Sequence, residues 1–156
     1  MSDEIGFDEV RDLILQIAEL KNNLHEIGVI RSECKITTDY AKWFCSKKFG
    51  LDLYSEGDFS YDALSKFEER VKIISRFGVD IDFSITFDGL SLDDFDYLFI
   101  VFMNENTWMI DSIYKVSKNI VRDFLSVDSP RIFRWCGESR SLSLQMYPDE
   151  ENEIFL

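Results

Sequence analysis

Carboxylates and lysines are nearly all that this sequence offers for chemistry. Its one histidine, His25, falls near the end of a helical pattern, where an imidazole ordinarily serves the surface or the helix dipole. Ser-His, Cys-His and His-metal chemistry therefore have little to draw on. No glycine-rich phosphate loop, no G-x-S-x-G elbow and no zinc spacing occurs. Cys34, Cys45 and Cys136 form no C-x-x-C pair and read as small buried hydrophobes in a reducing, cytoplasmic compartment. Metal-dependent phosphodiester cleavage asks for different groups. Carboxylates from adjacent strands hold Mg²⁺, and a lysine positions the water. The layout that suggests it here is Tyr61-Asp62-Ala63-Leu64 followed closely by Arg70 to Arg76. The plainer reading of Asp62 is a strand-end or turn residue.

Charge sets a second constraint. Thirty acids against seventeen Lys and Arg give a net charge of −13, which argues against binding nucleic acid over the whole surface. The excess is uneven. Between Phe77 and Tyr114 lie Asp80, Asp82, Asp88, Asp93, Asp94, Asp96, Glu105 and Asp111, with no Lys or Arg. Three readings compete: a solvated face that keeps the protein soluble, a metal site, or a surface that engages a basic partner through Asp80, Asp82, Asp88, Asp93, Asp94 and Asp96.

The elements that must position these groups follow from periodicity. Phe7, Val10, Leu13, Ile14, Ile17, Leu20 and Leu24 recur at helical steps and predict a helix over about 7–26, stopped by Gly28 and packed on a sheet. A second helix opens at Thr38 and ends at Gly50, with Lys47 and Lys48 in its last turn. Strands are expected over Tyr61–Leu64, Arg70–Ser75 and Asp80–Phe87, the last alternating polar and apolar. Phe95–Met103 is almost continuously apolar, as a central strand covered on both faces would be. Asn104-Glu105-Asn106 turns it into a hairpin with Trp108–Val116. Ser117 caps a third helix through Leu125, broken by Ser129-Pro130, and short strands follow near Ile132–Cys136 and Leu142–Met146. The whole reads as one α+β (mixed α/β) domain over 1–147, with an acidic tail over 148–156. No apolar run reaches the ~18 residues that span a bilayer.

Several short stretches resemble a small bacterial or phage branch of the PD-(D/E)XK, or restriction-endonuclease-like, superfamily. They are Arg31-Ser32, Asp39 to Phe44 with Phe49-Gly50-Leu51, Tyr61-Asp62-Ala63, Arg70 to Arg76, Phe95 to Phe102, and Val116 with Ile120-Val121. The resemblance implies a central mixed β-sheet flanked by helices. It also implies a site built from an acid on the helix, an aspartate on the first core strand and a Gln-x-Lys pair on the next. Position by position, Asp62 matches the strand aspartate. Lys42 stands at the helix acid, Lys72 at the glutamine or acid position and Ile74 at the catalytic lysine. An isoleucine cannot position water, and a lysine at a ligand position repels a cation. The degraded set implies a scaffold without the activity, unless Glu68 or Glu69 supplies a ligand beside Asp62, the metal ligand if there is one, and Lys72 takes the lysine's role.

Two functions are carried forward. One is a non-catalytic, acidic interaction module of the immunity, antitoxin or anti-defence kind, needing no cofactor and binding a basic, nucleic-acid-handling protein. The alternative is a Mg²⁺-dependent DNA endonuclease, or a subunit of one, whose basic cleft would gather Lys42, Lys47, Lys48, Arg70, Lys72 and Arg76. A homodimer using Trp108, Trp135 or Phe155 is a further possibility.

Overall fold

The structure, a computed structural model, describes residues 6–30, 36–54, 61–78, 82–87, 91–127 and 131–148. The chain divides into two compact units, 1–40 and 41–156. The first carries helix α1 (Phe7–Glu26), and helix α2 (Ile36–Phe49) runs through the division. Gly28 closes α1 with a φ of 81° and Gly50 follows α2 with a φ of 66°, the left-handed conformation in which a side chain would be strained. α2 begins two residues earlier than expected, so Thr38 lies within its first turn. Helix α1 forms over the span that the stripe predicts.

The second unit is built on a six-stranded mixed sheet. Its strands are β1 (Asp52–Leu53), β2 (Ala63–Leu64), β3 (Arg70–Phe77), β5 (Tyr97–Met103), β6 (Ile110–Ser117) and β8 (Leu144–Tyr147), in the order β1-β2-β3-β5-β6-β8. Only β3 and β5 run parallel; the other neighbours are antiparallel. β5 is central, as its apolar run predicts, and Leu98 through Met103 are all buried. The fold is thus α+β, with helices against the sheet.

Strand alternation gives the sheet two faces. Val71 and Ile73 of β3 share one with Phe99, Val101 and Met103 of β5. The 41–49 segment of α2 covers it, with Ala41 and Cys45 fully buried and the Phe49 ring edge-on to Phe99 at 5.5 Å. On the other face, Leu98, Ile100, Phe102 and Val116 pack under α3 (Lys118–Asp123) and a separate two-stranded sheet. That sheet pairs β4 (Phe83–Thr86) with β7 (Ile132–Trp135). The alternating segment therefore forms its strand over a shorter span than 80–87 and outside the main sheet. Ile85 and Phe87 point inward while Ser84 and Thr86 face solvent. Ser117 caps α3 by accepting the Ile120 N–H at 3.4 Å. A five-residue helix α4 (Gly137–Ser141) links β7 to β8, where the sequence pattern predicts only a connection.

Candidate functional site

Asp62 lies one residue before β2, where the antiparallel register (Ala63 opposite Val71) sets it across from Lys72. Its N–H donates to the Val71 carbonyl at 2.8 Å. Its Oδ2 accepts the Ile73 N–H at 2.7 Å, so the side chain continues the ladder where the strand backbone leaves off. Two ammonium groups reach the same carboxylate. Lys42 Nζ, from α2 on one face, is 3.0 Å from Oδ1, and Lys72 Nζ, from β3, is 3.6 Å from Oδ2. The Asp62 side chain is only 11% exposed. Its charge is therefore matched twice and its oxygens are engaged by hydrogen bond and ion pair.

Ile74, two residues beyond Lys72, packs with the core cluster that includes Leu98, Ile100 and Phe102. Ile74 is partly buried there, so a lysine at position 74 would lay its chain against apolar side chains and away from Asp62. Lys72 itself does point toward Asp62. Half of the geometric condition for lysine-assisted metal chemistry is met, and the other half, a second carboxylate beside Asp62, is not supplied by Glu69.

Glu69 is engaged elsewhere. Its Oε1 accepts the Ser65 hydroxyl at 3.3 Å, and its carboxylate takes the Tyr97 hydroxyl, which holds that phenol's proton and raises its pKa. Lys115 Nζ lies 3.9 Å from the centre of the same ring. Glu68 and Glu69 line an open cleft of ≈ 430 Å³ with Asp96, Tyr97, Ser117, Lys118 and Asn119. Asp62 is not among the lining residues. The two carboxylates thus belong to different neighbourhoods, at the edge of β3 and at its start.

A pair absent from the sequence reading anchors that cleft. Asp96 holds Arg70 through two side-chain bonds of 3.2 Å and accepts the Arg70 N–H at 2.8 Å. Arg70 Nη1 also donates to the Asp93 carbonyl at 2.7 Å. The guanidinium beside it, and then the backbone N–H, hold the Asp96 carboxyl below the usual range. The parallel register of β3 and β5, with Val71 opposite Tyr97, brings the two residues together. A separation of 26 residues hides that from the sequence.

The acidic stretch divides by role. Asp82 and Asp93 are exposed. Asp94 accepts the Ser91 N–H at 2.9 Å within a capping box on the 3-10 turn Leu92–Asp94, and Asp96 is tied to Arg70. Asp80 and Asp88 lie outside the described residues. The basic residues do not converge on one cleft. Lys42 and Lys72 meet at Asp62, Arg70 binds Asp96, Arg76 sits over the Phe83 ring and Lys48 over Tyr147. Trp135 is fully buried against Phe83, Phe102 and Tyr114, so it cannot serve an interface. Trp108 is half-exposed, and Phe155 lies outside the described residues.

A divalent cation fits this donor set poorly. Hard cations need several oxygens free to turn toward them, and the Asp62 oxygens already face two ammonium groups and an amide. Among the described residues, no group of three or more His, Cys, Asp or Glu side chains is placed to hold a metal ion. Likewise, no helix among them is long and apolar enough to cross a membrane. No protein-family model matches the chain, and no curated protein matches it.

Proposed function

We propose that the chain is a non-catalytic, acidic protein-interaction module on a nuclease-like scaffold, acting in the cytoplasm on a partner with a basic, nucleic-acid-handling surface. The observation that carries this reading is the double neutralisation of Asp62 by Lys42 and Lys72. An aspartate so held is a structural ion-pair centre, which stabilises the β2–β3 pairing and leaves no charge to recruit Mg²⁺. The dispersal of the basic residues supports it too, because duplex binding needs them gathered along one groove. The net charge of −13 and the exposed Asp82 and Asp93 favour encounter with a positive surface.

A cleavage assay on plasmid and single-stranded DNA, with Mg²⁺ and with Mn²⁺, tests the reading, and Asp62→Ala is the control. The expected result is no cleavage by folded protein and no metal-dependent gain in thermal stability. Cleavage that needs the metal and disappears with Asp62→Ala would overturn the reading and make Asp62 a ligand. Fluorescence anisotropy with a Lys/Arg-rich peptide supplies the positive arm. Binding should weaken as salt rises and weaken further in an Asp82→Lys, Asp93→Lys double variant.

A further inference from the structure

The hairpin turn between β5 and β6 holds one aromatic residue in a backbone conformation that does not suit it. Asn104 organises the turn. Its Oδ1 accepts the N–H groups of Asn106 at 2.9 Å and Thr107 at 3.0 Å. Its carbonyl accepts the Trp108 N–H at 2.8 Å, and its own N–H donates to the Met109 carbonyl at 2.8 Å. Thr107 Oγ1 takes the Met109 N–H at 3.3 Å. With these amides satisfied, Trp108 is fixed at a φ of 61°, in the left-handed region that glycine and asparagine tolerate and a bulky side chain does not. Such strain persists where the surrounding structure imposes it, and it gathers at binding sites.

The strand register breaks beside this turn. Met103 pairs with Ile110 and Phe102 with Ser112, so Asp111 is the extra residue of a β-bulge, a device that re-aims side chains at the end of a ladder. The turn and the bulge both lie within the unit 41–156. Trp135 packs against three rings, but Trp108 has no such role. Among the described residues its indole meets no other ring and no cation, and its Nε1–H donates to no acceptor. Glu105 and Asp111 stand three residues to either side of it, and neither has an ion-pair partner among the described residues. No Lys or Arg occurs between Phe77 and Tyr114, so the segment carries no cation of its own for the ring. An idle indole between two unpaired carboxylates is complementary to a guanidinium group. The planar cation stacks on the ring face, and its forked N–H donors suit carboxylate oxygens.

We propose that Trp108 anchors the docking of a basic partner, and that its occupant is an arginine side chain of that partner. This rests on the reading of the chain as an acidic interaction module, and it names the residue through which the module prefers arginine to lysine.

Titration of the full chain with a short peptide alternating Arg and Gly, and with its Lys counterpart, tests this by nuclear magnetic resonance of the tryptophan Nε1–H groups. The Arg peptide should shift the Trp108 signal and bind more tightly than the Lys peptide. Trp108→Asn, which suits the left-handed backbone and so keeps the fold, identifies that signal by its loss. This variant should bind the Arg peptide about tenfold more weakly and lose the preference over lysine. Equal binding by wild type and variant overturns the role of Trp108 and leaves the module reading in place. Failure of both peptides to bind overturns the two together. In the free chain the Trp108 Nε1–H should exchange with solvent far faster than that of the fully buried Trp135. A protected Trp108 signal, or a variant that melts well below the wild type, means that the chain itself covers the indole and overturns the proposal.

Discussion

Lys72 Nζ lies 3.6 Å from Asp62 Oδ2, across an antiparallel register that makes the two residues neighbours. Lys42 approaches the other oxygen at 3.0 Å from a different element, and the Ile73 N–H takes the remaining position at 2.7 Å. One carboxylate thus joins α2, the entry to β2 and the edge of β3. Its removal leaves two lysines and an amide without their acceptor, whereas removal of either lysine leaves the carboxylate still paired.

An asymmetry in stability follows. Asp62→Ala is expected to cost about 2–3 kcal/mol, because a largely buried amide and two partly buried cations lose their acceptor together. Lys42→Met and Lys72→Met should each cost less than about 1 kcal/mol, since both side chains retain solvent access. Urea denaturation of the three variants measures the difference. Equal costs would mean that the pairs act independently and that Asp62 is no hub.

The Arg70–Asp96 pair carries a pH dependence whose sign is determined. A carboxyl held below its ordinary value in the folded chain contributes stability above the unfolded pKa of about 4 and loses it as pH falls through the folded value. Asp96→Asn should therefore cost about 1 kcal/mol at neutral pH, a modest figure because solvent screens a pair about one-third exposed. The variant and wild-type curves should converge as pH drops below about 4. A gap of the same size at pH 3 would show that the hydrogen-bond geometry, not the charge, carries the contribution.

How much of this was legible depended on range. The continuous apolar run Leu98–Met103 announces a strand covered on both sides, and it is the central one. The capping hydroxyl of Ser117 and the glycines after α1 and α2 mark ends that the structure keeps. These signals are local. The alternation around Ile85 was equally clear, yet alternation reports only that one face is buried. It does not say against which sheet, and β4 pairs with β7, almost fifty residues away. The same limit hid Arg70–Asp96, which depends on a parallel register. At the candidate site, the charge reversal at Lys42 was readable as a defect. That Lys42 and Lys72 turn onto the same aspartate depended on α2 lying against the sheet beside β2.

The two described cysteines should differ sharply in reactivity, although sequence treats them alike. Burial in the α2 contact pushes the Cys45 thiol up to about 12, so at pH 8 only about one molecule in ten thousand carries the thiolate there. Cys136, between β7 and α4, is partly exposed, and its pKa is lowered chiefly by the Ser139 backbone N–H and then by its hydroxyl, which lies 3.7 Å from the sulfur. The Ser139 Oγ also accepts the Cys136 N–H at 2.8 Å, fixing the turn. Iodoacetamide at pH 8, followed by peptide mass spectrometry, should alkylate Cys136 while leaving Cys45 untouched until the protein unfolds. Ser139→Ala should slow the reaction at Cys136 several-fold and cost about 1 kcal/mol through the lost cap. If Cys136 reacts no faster than it does in urea-unfolded chain after correction for access, its thiolate receives no help from Ser139, and the turn serves only to join β7 to α4.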